Sequence, residues 1–278
     1  NGSLKYDNNT LTATSHLATA KHNTLTVSAH ANTTDLIELT NPNHPFKASI
    51  TGHILDFTEF NHLLSTDTLK QGTLAINTHF SGSLNQPVLS GDLTLKQLAF
   101  AFPQYGIAAD HFSGKFKLNR QQLTTQLSAK INNSPLSITA NTALPTFTTQ
   151  ARIQGRDILF YDTSEYTLFV SPDVRLDYHN GHVRIGGNIT IPQGSIEPHD
   201  FTSTVNLPEE DITYAQPDPS DPILKPLEIN LTLTLEKGIK INAYGLTAHP
   251  YGSLQVTKKA DQAPRLTGEI AIADGKYQ

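Results

Sequence analysis

Seven times along this chain a glycine sits midway between two positions, each two residues away, that are almost always apolar. The copies are Ile50-Gly52-Ile54, Phe80-Gly82-Leu84, Leu89-Gly91-Leu93, Phe112-Gly114-Phe116, Ile185-Gly187-Ile189, Pro250-Gly252-Leu254 and Leu266-Gly268-Ile270, with Pro250 the one departure. Alternate residues of a strand point to one face, so each copy sets two apolar side chains and one bare glycine on the same side of a sheet. The room beside the glycine must be filled, by a neighbouring element or by a guest. Three copies run on over twelve residues in one register: Leu89-Gly91-Leu93-Leu95-Phe100, Ile185-Gly187-Ile189-Ile191-Ile196 and Leu266-Gly268-Ile270-Ile272-Tyr277. The steps between the glycines are uneven. A coiled β-solenoid demands a near-constant step, so the spacing predicts an antiparallel meander with loops of varying length.

The rest of the chain alternates in the same way. Leu4-Tyr6, Leu11-Ala13, Leu25-Val27-Ala29, Leu74-Ile76, Leu123-Leu127, Leu136-Ile138 and Val174-Leu176-Tyr178 read as short half-buried strands. The cleanest is Leu227-Ile229-Leu231-Leu233-Leu235, whose opposite face carries Glu228, Asn230, Thr232, Thr234 and Glu236. Turns are expected at Asn132-Asn133, Asn180-Gly181 and Lys237-Gly238; Asn-Gly is a strong hairpin signal, because both residues tolerate positive φ. Asp56-Phe57-Thr58-Glu59 has the form of a capping box. With Phe57, Phe60, Leu63 and Leu64 on one helical face, it predicts a short amphipathic helix over about 56–64 that covers the neighbouring sheet. From Pro208 to Pro226 the chain carries Pro217, Pro219 and Pro222 with five acids, Glu209, Glu210, Asp211, Asp218 and Asp221, and reads as a long loop.

Composition narrows the function. Of 278 residues 37% are hydrophobic and 16% charged, and the balance is made up by neutral polar residues suited to the wet face of an antiparallel sheet. The net charge of -5 comes without any basic cluster, which argues against a nucleic-acid partner. There is no cysteine, so an oxidising compartment poses no hazard to the chain. It opens on Asn1 and holds no methionine, and so reads as an excerpt whose leader or anchor would lie upstream. No apolar run reaches the ~18 residues of a membrane-spanning helix.

Catalytic motifs are missing: no G-x-S-x-G elbow, no H-E-x-x-H helix and no Walker loop, so no enzymatic activity or cofactor is expected. His179 and His182 flank the Asn180-Gly181 turn but would need further ligands to hold a metal. The acids of 209–221 lack the spacing of a calcium loop. What remains is the apolar faces. They either close on one another as the core of a sandwich or barrel, or stay open. About fifteen to twenty strands at about 4.8 Å would make a sheet long enough that it must curl, split or flatten, and curled it becomes a trough lined by aliphatic side chains.

One stretch carries a family likeness. Val170-Ser171-Pro172-Asp173-Val174-Arg175-Leu176 is followed by Val183-Arg184-Ile185-Gly186-Gly187-Asn188-Ile189-Thr190-Ile191-Pro192 and the acidic, proline-containing 208–226. Next come Leu227–Leu235, then Ile239-Lys240-Ile241-Asn242-Ala243-Tyr244-Gly245-Leu246, and last Leu266-Thr267-Gly268-Glu269-Ile270 with Gly275-Lys276-Tyr277. This ordered series resembles the conserved C-terminal region of the TamB family, inner-membrane subunits of the translocation and assembly module and relatives of the AsmA-like bridge-like lipid transfer proteins. The likeness is specific over 157–278; over 1–156 it rests on the glycine repeat alone. Those two stretches are accordingly read as an upstream repeating β-groove segment and a TamB-type C-terminal segment of one continuous groove.

The resemblance implies an all-β fold, a long, curved, meandering sheet folded like a taco around an apolar interior. It also implies a periplasmic location, an N-terminal inner-membrane anchor outside this stretch, and an outer-membrane barrel partner, TamA. The function it implies is movement of phospholipid between the two membranes, with acyl chains lying against Ile185, Ile189, Ile191, Ile229, Leu231, Leu233, Leu235, Ile239, Ile241, Leu254, Val256, Ile270 and Ile272. The alternative is a scaffold for translocation and assembly of outer-membrane proteins such as autotransporters, working through exposed strand edges. No catalytic residue and no metal ligand carry over.

Overall fold

A computed structural model describes residues 1–61, 69–102, 107–198, 227–260 and 262–277. Nearly all of them lie in sixteen strands. The first nine are β1 (Gly2–Asp7), β2 (Thr10–Ala18), β3 (Thr24–Asn32), β4 (Phe46–Ile54), β5 (Leu69–Gly82), β6 (Pro87–Phe102), β7 (Ile107–Arg120), β8 (Gln122–Ile131) and β9 (Ser134–Ala143). There follow β10 (Thr148–Gly155), β11 (Ile158–Asp162), β12 (Tyr166–His179), β13 (His182–Ile196), β14 (Leu227–Ala243), β15 (Leu246–Lys258) and β16 (Arg265–Tyr277). The hydrogen-bonded order follows the sequence from β1 to β16, except that β11 leaves the path and pairs with β12. Among the described residues no pairing closes the sheet into a barrel. The chain divides into two compact units, residues 1–151 and 152–278.

In the first unit β1 to β9 form antiparallel pairs between sequence neighbours. Asn8-Asn9 and Asn132-Asn133 make its tight turns, all four at positive φ, so the second of these pairs turns the chain as its sequence predicts. Of the helix predicted over 56–64, residues 56–61 are described, and Asn61 is helical. Phe57–Phe60 forms a single 3-10 turn capped by Asp56, whose carboxylate accepts from the Thr58 amide at 2.8 Å, while Leu63 and Leu64 lie outside the described residues. Glu59 does not close the capping box that its spacing suggests. A capping box would return its side chain to the Asp56 amide. Glu59 instead accepts from the Thr19 hydroxyl and the side-chain amide of buried Asn23, each at 2.5 Å, and so ties the turn to the β2–β3 connection. Asn23 completes the tie by accepting from the Leu55 and Asp56 amides at 2.7 and 3.0 Å.

In the second unit Asn180-Gly181 closes the β12–β13 hairpin with φ of 49° and 80°, and pairs His179 with His182 as the spacing predicts. Two features depart from the expected meander. β13 and β14 pair in parallel, Val183 opposite Leu227 through Ile196 opposite Ile241, so β14 begins beside the start of β13. Lys237-Gly238 makes no turn; it lies inside β14, where a bulge shifts the register against β13 and β15. The loop predicted over 208–226 lies outside the described residues.

Bulges also explain the twelve-residue repeat. Its last two apolar positions are five residues apart, an odd step that a regular strand would send to opposite faces. Each copy is interrupted there: β6 shifts between Leu95 and Leu98 against β7, β13 between Thr190 and Gly194 against β12, and β16 between Ala273 and Lys276 against β15. In β13 and β16 the repeat strand holds one more residue than its neighbour, which restores the apolar phase, whereas in β6 the extra residue is followed by one in β7 between Phe112 and Ala109.

Candidate functional site

The register of β12 to β16 stacks the predicted apolar residues in rows across the strands. Ile185 faces Ile229; Gly187, Leu231, Val256 and Leu266 make the next row; Ile189, Leu233, Leu254 and Gly268 the one after; and Ile191, Leu235, Gly252 and Ile270 the fourth. Beyond the bulge Gly194 pairs with Ile239, Ile196 with Ile241, Ile241 with Ala248, and Pro250 with Ile272. All thirteen predicted residues therefore belong to one continuous ladder in the second unit. The rows arise from the alternation of the sequence: a slip of one residue in any pair would send that strand's aliphatic set to the other side.

This ladder is not a closed core. Ile239 is buried at 5% exposure, Ile270 and Ile272 stand at 49% and 61%, and the other ten are half-buried. Among the described residues no large side chain anywhere is fully buried. The strands of this unit pack on their hydrogen-bonded neighbours. A half-buried aliphatic residue still presents apolar area to whatever lies against the sheet.

The glycines do not keep room for a guest. Gly91, Gly187, Gly252 and Gly268 each lie so near the adjoining strand that a Cβ would collide with a backbone carbonyl oxygen and the neighbouring Cα. For Gly187 those atoms belong to Asp173 and Val174, and its φ of +126° is one that side-chain-bearing residues rarely adopt. At Gly114 the Leu127 side chain fills the space instead. Of the two fillings open at the level of sequence, the neighbouring element is the one found.

The opposite face is polar and tied by side chains. Arg152 on β10 makes a two-pronged pair with Asp173 on β12, both bonds at 2.8 Å. The Arg152 guanidinium holds the Asp173 carboxyl below its ordinary range, and the aspartate raises the arginine in return. The parallel β13–β14 pair has an ion pair at each end, Arg184 with Glu228 at 2.8 Å and Lys240 with Glu197 at 3.3 Å. Hydrogen bonds from the Ser195 hydroxyl and Lys240 lower the Glu197 carboxyl. Between them Thr232 donates to Gln255 at 3.1 Å and Gln255 to Asn230 at 2.6 Å. A cavity of about 1010 Å³ opens beside these strands, where Arg175, Arg184, Asn230 and Lys259 share the lining with Ile185 and Ile229 of the ladder.

His179 and His182 sit exposed at the hairpin tip, and among the described residues no group of three or more possible ligands could hold a metal ion. What the sequence reading passed over is Leu176, Val174 and Leu266, which extend the rows onto β12 and β16. Their alternation was legible; the neighbours across the strand were not.

Comparison with known proteins places these features in a family. The family described as TamB C-terminal domain matches residues 113–278, more than half of the chain. The translocation and assembly module subunit TamB of Haemophilus influenzae is 22% identical over 233 residues, covering 78% of this chain but 18% of that protein. The chain thus spans less than a fifth of that relative's length. No solved structure matches. No helix among the described residues is long and apolar enough to cross a membrane, a statement that does not bear on β-barrels.

Proposed function

The chain belongs to the TamB family, and from that membership we propose that its second unit carries phospholipid acyl chains along the apolar ladder of β13 to β16, as one stretch of a bridge between the inner and outer membranes. The observation that carries this reading is thirteen aliphatic residues in cross-strand register, of which only Ile239 is buried. Each methylene removed from water contributes about 0.8 kcal/mol, so one acyl chain gains on the order of 10 kcal/mol as an upper bound. The rows repeat at the spacing of the strands, offering many similar weak sites, and a conduit needs that more than one deep pocket. In this reading the protein works in the periplasm, with an inner-membrane anchor outside this stretch and the outer-membrane barrel TamA as its partner.

The relative's name, a subunit of a translocation and assembly module, supports a second role in assembling outer-membrane proteins. The two roles are compatible, because one uses a face and the other an edge.

Adjacent photocrosslinking probes at Leu231 and Thr232 test the lipid reading in cells fed radiolabelled phosphate. Leu231 lies in the apolar row with Gly187 and Val256; Thr232 is its neighbour on the polar face, opposite Asn188 and Gln255. Lipid captured at Leu231 and not at Thr232 is the expected result. Capture at neither, or equally at both, in protein that accumulates normally would overturn the reading.

A further inference from the structure

The first apolar row of the ladder ends in a cation. Leu176, Ile185 and Ile229 continue in register into Lys258 of β15, so a lysine takes an aliphatic place on the apolar side. Lys258 is half-buried, and its ammonium donates to the Leu227 carbonyl at 3.1 Å. Leu227 lies two residues before Ile229, so the apolar stem follows the row while the charge sits past it, at the end of the strands. That end of the ladder is basic. Lys259 follows, and Arg265 opens β16 opposite Thr257, both exposed. Among the described residues no carboxylate pairs with Lys258, Lys259 or Arg265. The cavity of about 1010 Å³ lies at this end, with Ile185 and Ile229 lining it beside Arg184, Lys258 and Lys259. Its carboxylates have partners of their own: Asp173 holds Arg152, Glu228 holds Arg184, and Asp177 stands opposite Arg184. The other end of β13 to β16 is balanced, with Glu197 paired to Lys240 and with Asp274 and Lys276 close together on β16.

We propose that this end of the ladder holds the phosphate of a phospholipid headgroup, with Lys258 as its contact and the acyl chain laid along the strands from the first row towards Ile239. The inference rests on acyl chains occupying the ladder; it adds which way they point and which residue fixes the phosphate. An ammonium carries three hydrogens and the Leu227 carbonyl takes one, which leaves two for phosphate oxygens in a charge-assisted contact. The cavity beside Ile185 and Ile229 gives the headgroup room next to the first apolar row. Length decides that the chain fits. From Ile229 to Leu235 the strand advances six residues, about 20 Å at about 3.3 Å each. One leaflet's share of a bilayer's hydrocarbon core is about 15 Å. The chain therefore lies within the first four rows, and Ile239, the one buried member of the thirteen, closes the far end.

Phosphatidylglycerol and diacylglycerol with identical acyl chains, titrated into the full-length protein and two variants, separate the headgroup from the chains. Lys258→Leu keeps the row apolar and removes the charge; Lys258→Arg keeps the charge. Lys258→Leu is expected to weaken phosphatidylglycerol about tenfold and to leave diacylglycerol within about twofold. Lys258→Arg is expected to hold phosphatidylglycerol within about threefold of the parent. Equal weakening of both ligands by Lys258→Leu, or weakening of neither, would overturn the contact. A parent protein that binds neither ligand would remove lipid carriage itself, a result distinct from those two. Inorganic phosphate at the concentration of the lipid is expected not to compete; displacement by it would make this a site for free phosphate and overturn the headgroup assignment. Orientation is read in the parent protein, with a photoreactive group on the headgroup of phosphatidylglycerol or on its last acyl carbon. The headgroup probe is expected to label the chain around Lys258, and the tail probe the stretch from Leu235 to Ile241. The reverse pattern, or one pattern for both probes, would overturn the direction assigned here.

Discussion

A methyl group at Gly187 would meet the carbonyl of Asp173 and the Cα of Val174, on a backbone already at φ +126°. Gly181, six residues earlier at the hairpin tip, also has positive φ, yet nothing lies within 4 Å of the place its Cβ would take. The two glycines separate crowding from strain. Gly181→Ala should lose about 1 kcal/mol, from backbone strain alone. Gly187→Ala adds the collision and should lose about 1–3 kcal/mol more. Urea denaturation of both variants against the parent chain checks the ranking; equal losses would mean that the close approach of β12 to β13 costs nothing. The spacing of these glycines is plain in the sequence, while the identity of what fills the room beside them is not. That answer depends on which strand lies alongside and at what register, and both are long-range facts.

The elements show the same division between local and long-range information. Asn180-Gly181 was legible because two adjacent residues determine the turn. Lys237-Gly238 misled because a glycine that ends a strand and one that permits a bulge inside it have the same local signature, and the partners on both sides of β14 decide. The parallel β13–β14 pair was likewise invisible, since alternation along a strand is indifferent to the direction of its neighbour. The step of five residues in the long repeat was present in the sequence throughout, and it marks the bulge in β6, β13 and β16.

Asp56 offers a test of how the short 3-10 turn is held. Hydrogen bonds from the Thr58 hydroxyl and Lys21, joined by the Thr58 amide, lower its carboxyl from 3.8 to about 2. A carboxyl lowered by folding stabilises the folded chain above its unfolded pKa and loses that contribution as pH falls through the folded one. Asn is an equally good N-cap but carries no charge. Asp56→Asn should therefore be less stable than the parent at pH 6, and the gap should close between about pH 4 and pH 2. Urea midpoints at pH 6, 4 and 2 would show it, and a gap independent of pH would remove the charge from the account. The Arg152–Asp173 pair tests a second tie. Both side chains are about two-fifths exposed, so a double-mutant cycle should return a small favourable coupling that shrinks in high salt.

At the scale of the whole molecule the question is whether the apolar ladder conducts. Leu233 lies in the row of Ile189, Leu254 and Gly268, with strands on both sides, so an acyl chain moving along the rows must pass it. Thr234, one residue on, faces the polar side opposite Thr190 and Ser253. Arginine at 233 would set a charge against hydrocarbon, a cost of about 2.5–3.5 kcal/mol in the middle of a bilayer and less here, where the face is partly wet. A cost of about 1.4 kcal/mol already lowers occupancy tenfold. Leu233→Arg in the full-length protein should therefore reduce phospholipid transfer about tenfold or more, while Thr234→Arg leaves it near the parent level. Transfer between donor and acceptor vesicles is the measurement, with circular dichroism to show that strand content is kept. If both variants transfer as the parent does, the ladder is not the path. If both fail equally while folded, the path does not distinguish the faces, and the alternation from which the site was read would have no bearing on transport.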